Sequence, residues 1–252
     1  MKFAQLVMGP AGSGKSTYCL EIHKYIYQTN HIPKIINLDP SVDNIEYPNS
    51  IDIRKLINVV EVMEEFYLGP NGALLFCMEY LMDNLEWLEN EISLCFEDYF
   101  ILDLPGQIEL YSHNSLMKEL VVYLNSRCNL NMVGLFMIDC QFIVDIGKFF
   151  SGTIIALTCM LSLDIPHYNI LNKLDLVKHT PKRVLEKFFF PNSKILTNDL
   201  NMIINYKYKK LTINISRLLE DFSMIHYLPL DISCPDKISC LFQLINQSFE
   251  IE

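Results

Sequence analysis

Short apolar runs alternate along this chain with longer segments in which apolar residues recur at helical spacing. The longer segments repeat about every 3.6 residues, which is the period of a helix that buries one face. The alternation predicts an α/β fold with a mostly parallel sheet and helices on both faces. In such sheets, ligands bind at the carboxyl ends of the strands. The predicted strands are residues 3–8, 34–38, 99–102, 132–138, 168–171 and 225–230.

One segment, residues 39–97, is too long for a simple connection between two strands. It predicts a helical insertion at about residues 40–97, made of helices at 52–66 and 73–93 that join at Gly69-Pro70-Asn71-Gly72. The second helix carries a continuous apolar stripe. Such a stripe is either part of the core or half of a subunit interface, and periodicity does not choose between them. The stripe consists of Leu74, Met78, Leu81, Leu85, Leu88 and Ile92.

A second departure from the alternation is a helical region at about residues 181–223, where no strand is predicted. Phe188, Phe189 and Phe190 within it are either a buried aromatic cluster, which we favour, or an exposed anchor. The prediction is a single domain over residues 1–252 with these two helical additions.

The first strand runs directly into Gly9-Pro10-Ala11-Gly12-Ser13-Gly14-Lys15-Ser16, which fits the phosphate-binding pattern G-x-x-x-x-G-K-[ST]. A glycine-rich turn between a strand and a helix directs backbone N–H groups and the positive end of the helix dipole at bound phosphate. Lys15 is predicted to reach the β- and γ-phosphates, and the Ser16 hydroxyl to bind Mg²⁺. The predicted phosphate-binding residues are Gly12, Ser13, Gly14, Lys15, Ser16 and Thr17. The chain is therefore first of all a nucleotide-binding protein.

A candidate hydrolytic motif, Asp103-Leu104-Pro105-Gly106-Gln107, follows the strand at residues 99–102. Asp103 is predicted to bind Mg²⁺, directly or through water. In nucleotide hydrolases the glycine of D-x-x-G approaches the γ-phosphate, and a following glutamine such as Gln107 can orient the attacking water. Asp39, at the end of the second strand, is predicted to bind Mg²⁺ through water or to help position the nucleophile, and a helix N-cap is the alternative.

The segment Asn172-Lys173-Leu174-Asp175 follows the strand at residues 168–171 and matches N-K-x-D. A carboxylate such as that of Asp175 accepts hydrogen bonds from the N1–H and exocyclic amine of guanine, whereas adenine offers no such pair of donors at that edge. The motif therefore predicts a guanine nucleotide, bound through Asn172, Lys173, Leu174 and Asp175. None of the four arginines lies in a motif loop, so a group other than an arginine is expected to stabilise charge in the transition state.

Composition narrows the function further. Half of the residues are hydrophobic and 20% are charged, which predicts a large core. The net charge of -10 argues against a protein that binds nucleic-acid backbones, and we expect no direct nucleic-acid partner. Lys207, Lys209 and Lys210 form the densest basic group, which we interpret as a solvated face rather than a nucleic-acid patch.

The location of the protein is predicted from its cysteines and its apolar stretches. The eight cysteines are scattered without metal-binding spacing and are expected to be reduced. Apolar stretches such as residues 152–163 are shorter than the roughly 18–20 residues that span a bilayer, so no membrane association is expected. A strand starts within a few residues of Met1, which leaves no room for a signal peptide, and we expect a cytosolic protein.

Taken in order, the segments GPAGSGKST, NLDP, Gly69-Pro70-Asn71, DLPGQIELYSH and NKLD resemble those of the GPN-loop GTPases, and the likeness extends over essentially the whole chain. Within that family it is greatest to the third eukaryotic paralogue group. The resemblance implies that Asn71 reaches the γ-phosphate region of a dimer partner, in the place that an arginine takes in other enzymes. It also implies a heterodimer with the first paralogue, or a homodimer, a role in the assembly and nuclear import of RNA polymerase II, and movement between cytoplasm and nucleus.

The sequence thus predicts a GTP hydrolase that uses Mg²⁺, with Lys15, Asp39, Asn71 and Gln107 as catalytic residues and Ser16 and Asp103 as metal ligands. Two alternatives stay open. The first is a scaffold whose bound GTP sets its shape for partners with little turnover. The second is an ATP-dependent kinase, against which the guanine motif counts.

Overall fold

The fold is built around a sheet of seven strands, seen in a computed structural model that describes residues 2–29, 31–42, 47–48, 50–112, 115–177, 181–189, 210, 214 and 225–249. The strand order is β3-β2-β4-β1-β5-β6-β7, and all the described strand pairs are parallel. The predicted α/β fold with a parallel sheet is confirmed. The strands are β1 (Lys2–Met8), β2 (Pro33–Asn37), β3 (Ile51–Asp52), β4 (Tyr99–Asp103), β5 (Leu130–Asp139), β6 (His167–Asn172) and β7 (Tyr227–Pro229).

Helices cover both faces of this sheet. The helices α1 and α9 pack on one face, around residues such as Val7 and Ile101, while α2, α3, α4, α6, α7 and α8 pack on the other. No helix among the described residues is long and apolar enough to cross a bilayer. The helices are α1 (Lys15–Tyr27), α2 (Val59–Phe66), α3 (Pro70–Asp83), α4 (Leu85–Ser93), α5 (Glu109–Ser112), α6 (Leu116–Cys128), α7 (Ile146–Leu163), α8 (Lys182–Phe189) and α9 (Pro235–Ser248).

Strand register brings the predicted motifs to one edge of the sheet. In the two ladders that flank β1, Val7 pairs with Asp103 of β4 and with Leu135 of β5. Asp139 at the end of β5 pairs in turn with Asn172 of β6. The loops that follow β1, β4, β5 and β6 therefore meet, as the parallel arrangement requires.

The helical insertion differs from its prediction at both helices. Residues 51–55 form the edge strand β3 and a 3₁₀ turn, because the Asp52 side chain caps the turn by accepting a hydrogen bond from the Arg54 backbone; α2 begins only at Val59. The second predicted helix is two helices, α3 and α4, which are separated at Asn84. Asn84 leaves helical geometry with φ of -121°, and its side chain donates to the carbonyl of Tyr80.

The apolar stripe of the insertion belongs to the core of this chain. All six of its residues, from Leu74 to Ile92, are buried within the single chain. Burying such a side chain contributes about 1.5–3 kcal/mol, so the stripe fastens the insertion to the sheet. Of the two interpretations left open by periodicity, the structure supports the core.

The second helical region is described only over residues 181–189 and at residues 210 and 214. Phe188 is buried against Phe149, with ring centroids 5.0 Å apart, which agrees with the buried aromatic cluster that we favoured. Phe190, Lys207 and Lys209 lie outside the described residues, and Lys210 is exposed.

Candidate functional site

The phosphate-binding loop adopts a backbone that only glycine tolerates at its key positions. Gly9, Gly12 and Gly14 have φ of 138°, 76° and 90°. A Cβ at Gly9 would lie 2.2 Å from the carbonyl oxygen of Met137 on β5. Helix α1 follows without any side-chain cap at its N-terminus. Its first N–H groups and its dipole therefore offer an anion site, as the sequence predicted.

The loop after β4 packs directly against the phosphate loop. The Ala11 N–H donates to the Gly106 carbonyl at 3.1 Å, and a Cβ at position 106 would lie 2.8 Å from the Ala11 Cα. The two predicted motif loops are thus in contact, and glycine is the residue that permits it.

Lys15 is buried within this junction, with 7% of its surface exposed. Its ammonium donates to the Pro10 carbonyl at 3.3 Å. Burial lowers the pKa of Lys15, and the nearby carboxylates of Asp103 and Asp39 act in the opposite direction. An ammonium in this position is held close to where phosphate oxygens would bind above the loop.

Asp103 stands fully buried at the carboxyl end of β4. Its Oδ2 accepts hydrogen bonds from the Ser16 hydroxyl, at 2.8 Å, and from the Tyr47 hydroxyl. Its Oδ1 has no partner among the described residues. Burial raises the pKa of Asp103, while the bonds from Tyr47 and Ser16 and the charge of Lys15 act to lower it.

This arrangement fits Mg²⁺. A buried carboxylate oxygen without a partner is unusual and is satisfied when a cation binds. Mg²⁺ commonly uses one or two protein oxygens together with phosphate oxygens and water, so Asp103 and Ser16 suffice. Among the described residues no group of three or more His, Cys, Asp or Glu side chains gathers to form a separate metal site.

Asp39 lines the same cleft, a cavity of about 370 Å³ that also includes Lys15, Ser16 and Gly106. Its carboxylate accepts bonds from the backbone N–H and hydroxyl of Ser41, and so closes a turn. The described residues 40–42 that follow it are not helical, so the alternative of a helix N-cap is wrong. Asp39 is 8% exposed, and its roles in binding Mg²⁺ through water or placing the nucleophile stay predictions.

Asn71 and Gln107 meet at the mouth of the cleft. The Gln107 amide donates to the Asn71 Oδ1 at 2.6 Å, and both residues line the cavity. Helix α3 begins at Pro70 with Gly69 as its N-cap, and the exposed Asn71 side chain lies in its first turn. The structure thus places Asn71 at its own chain's phosphate loop. Among the side chains that the structure describes, no arginine lines this cavity, and Arg54 bonds instead to Asp52 with Nε 3.0 Å from the carboxylate.

The first two residues of the base motif, Asn172 and Lys173, form hydrogen bonds to the phosphate loop. The buried Asn172 side chain donates to the Ser13 carbonyl at 2.9 Å. The Lys173 ammonium donates to the Gly12 carbonyl and lies 2.8 Å from the Asp139 carboxylate. Asp139 was not predicted from the sequence, although its place directly after a buried strand, like that of Asp103, was a usable signal.

The remaining residues of the base motif face outward or pack beside a neighbouring loop. Asp175 is exposed, in the short 3₁₀ turn Leu174–Val177. The Leu174 N–H donates to the Leu230 carbonyl at 3.3 Å, which places the loop after β7 beside the motif. The Cys140 thiol donates to the Lys173 carbonyl, and burial raises the pKa of Cys140 to about 12. The thiol therefore stays protonated, as expected for a reduced interior cysteine.

The fold and the site define a P-loop nucleoside triphosphatase. The features that define it are a parallel α/β sheet, a strand–loop–helix phosphate site with a buried lysine, and a base motif bonded to that loop.

Comparison with known proteins gives the family of this chain. Residues 7–251 match the family model described as "Conserved hypothetical ATP binding protein". Curated proteins named GPN-loop GTPase 3 match over nearly the full chain. The relative from Kluyveromyces lactis is 43% identical over 96% of this chain and 89% of its own, and that from Dictyostelium discoideum 43% over 99% and 87%. This chain belongs to the GPN-loop GTPase family.

A solved structure supports the same fold. The crystal structure of a GTPase in apo form from Pyrococcus abyssi superimposes with a TM-score of 0.81, over 98% of this chain and 97% of that chain, at 24% sequence identity. The names of the matched proteins differ in the nucleotide, since the family description names ATP and the curated relatives are named GTPases. The predicted guanine motif agrees with the names of the curated relatives.

Proposed function

We propose that this chain binds and hydrolyses GTP with Mg²⁺ as one half of a dimer. As a member of the GPN-loop GTPase family it is a GTPase. The observation that carries the proposal is the bonding of Asn172 and Lys173 to the phosphate loop. It joins the motif proposed to select guanine to the loop proposed to bind phosphate.

Guanine rather than adenine is proposed because of Asp175. Its carboxylate is exposed beside the phosphate loop and therefore accessible to the N1–H and amine of a base. Hydrogen bonds to a charged acceptor contribute about 1.5–3 kcal/mol each, which is enough to reject a base that lacks the donors. The description of the family as ATP-binding does not fit this motif.

For hydrolysis, we assign Lys15 and the backbone of residues 12–17 to the phosphates. Ser16 and Asp103 would hold Mg²⁺, which neutralises charge on the phosphate oxygens when it is bound. Gln107 and Asp39 both line the same cavity and are assigned to placing the water. Catalysis then consists of positioning and electrostatic stabilisation of an in-line attack on the γ-phosphate.

Asn71 is proposed to contribute at the γ-phosphate across a subunit interface. Two observations support a role at the phosphates: the side chain is exposed at the mouth of the cleft, and it bonds to Gln107. The family resemblance supports the partner's site rather than the chain's own. Phe66 and Tyr67, which lie just before Gly69-Pro70-Asn71, are 49% and 94% exposed. This exposed apolar surface favours a contact with another subunit.

The partner and the pathway are proposed from the resemblance alone. The partner is the first GPN-loop GTPase paralogue, with a homodimer when the chain is by itself. The dimer acts on subunits of RNA polymerase II during assembly and nuclear import, and moves between cytoplasm and nucleus. Neither a membrane nor a nucleic acid is part of the proposal.

The test is GTP turnover by the chain alone and with the first paralogue, with ATP as the control substrate. We expect phosphate release from GTP in both cases, faster in the mixture, and at least about 10-fold slower release from ATP. GTP that stays bound and intact in the mixture would favour the nucleotide-loaded scaffold. Equal use of ATP would contradict the role of Asp175.

A further inference from the structure

A tyrosine that no motif contains reaches into the candidate Mg²⁺ site. Tyr47 lies between β2 and β3 and is 7% exposed. Its ring packs in the core layer that includes Val7, Tyr18 and Cys19. Phenylalanine would fill this space equally well, so the hydroxyl is the part of the side chain that packing does not explain.

The hydroxyl donates to Asp103, which is 56 residues away in the sequence. It uses Oδ2, the oxygen that also accepts from Ser16, so that this oxygen has two donors and Oδ1 has none. The phenolic O–H of tyrosine is a hydrogen-bond donor, and the carboxylate of Asp103 is an acceptor. The two bonds fix the rotation of the carboxylate and leave Oδ1 as the oxygen with free lone pairs.

We propose that Tyr47 is a positioning residue for Mg²⁺, whose hydroxyl holds the Asp103 carboxylate with Oδ1 available to the cation or to a water on it. The inference rests on the proposed function, because it assumes that Mg²⁺ binds here. It also gives the segment between β2 and β3, which begins near Asp39, a direct bond to the metal site. Groups that orient a metal ligand typically change metal affinity or activity by about 10–100-fold when removed.

The competing explanation is that Tyr47 is an ordinary buried tyrosine whose hydroxyl needs a partner. Tyr227 provides a matched control, since it is 2% exposed and its hydroxyl donates to Thr153 Oγ1 at 3.1 Å. It lies on β7, four strands from β4 in the sheet order, or about 19 Å at the usual strand spacing. A purely structural role predicts the same behaviour for both hydroxyls.

The experiment measures how much Mg²⁺ is needed to retain fluorescently labelled GDP. We expect Tyr47→Phe to raise the Mg²⁺ concentration for half-maximal retention by about 10–100-fold. In excess EDTA its GDP affinity should stay within about twofold of wild type, and Tyr227→Phe should match wild type in both measurements. A Tyr47→Phe midpoint equal to that of wild type would overturn the inference.

The experiment distinguishes failure of the proposed Mg²⁺ site from failure of the Tyr47 inference. If wild-type retention does not respond to Mg²⁺, the Mg²⁺ part of the proposed function fails and the Tyr47 inference fails with it. If wild type responds and Tyr47→Phe responds identically, only the inference fails. Should Tyr47→Phe not fold, wild type with 3-fluorotyrosine at position 47 should shift its ¹⁹F signal when Mg²⁺ is added to the GDP complex. An unchanged signal would contradict the proposal.

Discussion

The phosphate loop and the tip of the helical insertion face the same cleft but are built in different ways. Around the phosphate loop, Lys15 and Asp103 are buried. Lys15 donates to the Pro10 carbonyl within the loop, and Asp103 accepts a bond from Ser16 of α1. At the tip of the insertion, Asn71 is exposed and its described side-chain contact is a single bond to Gln107. One region is assembled by this chain alone, whereas the other presents its functional group to the solvent or to a partner.

The difference in burial between the two regions predicts that one serves nucleotide binding and the other serves GTP hydrolysis. The buried residues around the phosphate loop, such as Lys15 and Asp103, are preorganised and offer the same interactions to the nucleotide whether or not hydrolysis follows. Substitution of these residues should therefore impair nucleotide binding. An exposed side chain at the mouth of the cleft contributes little to folding, so its removal should affect only the chemical step. Variants of the two regions test this separation.

The largest effect is expected for Lys15→Ala. Loss of the ammonium removes a charge-assisted contact to two phosphates, and GTP affinity should fall by about 100-fold or more. Calorimetric titration with GTP measures this. Lys24→Ala is the matched control, since Lys24 is on the same helix but is paired with Glu21 on the surface at 2.6 Å. Normal GTP binding by a folded Lys15→Ala variant would contradict the proposed role of Lys15 in binding phosphate.

A smaller effect, confined to the base, is expected for Asp175→Ala. Wild type should prefer GTP over inosine triphosphate, which lacks the exocyclic amine, and this preference should fall by about 10–100-fold in the variant. Competition against labelled GDP gives the ratio. Because the phosphates are identical, their contacts cancel in this comparison. An unchanged preference would mean that another group reads the base.

Much of the phosphate site was predictable because each of its motifs is a short continuous segment of the sequence. The loop from Gly9 to Ser16 follows a buried strand, and Asp103 and Asn172 each follow another, so parallel topology alone brings them together. The bond from Tyr47 to Asp103 was not predictable, since it joins positions 56 residues apart and has no motif.

The insertion was harder to predict, for a physical reason at Asn84. The apolar stripe keeps its spacing from Leu81 to Leu85 across the break, so periodicity reports one continuous helix. The interruption is seen in the backbone of Asn84, whose φ is -121°, and in the bond from its side chain to the Tyr80 carbonyl. The edge strand β3, which is two residues long, is too short for any alternation to indicate it.

The role of Asn71 gives the most direct test. GTP bound beforehand to wild type, Asn71→Ala and the control Asn90→Ala, an exposed asparagine on the same insertion, would be followed through a single turnover. We predict that Asn71→Ala binds GTP with wild-type affinity but cleaves it about 100-fold more slowly, as for loss of one donor that stabilises transition-state charge.

The same measurement on a mixture decides which chain supplies the asparagine. Lys15→Ala subunits are expected to bind GTP about 100-fold more weakly or worse but still carry Asn71. Adding them to GTP-loaded Asn71→Ala subunits, with formation of mixed dimers verified by differential tags, should restore a substantial part of the wild-type rate. A rate that stays at the Asn71→Ala level would contradict the active site completed by a second subunit.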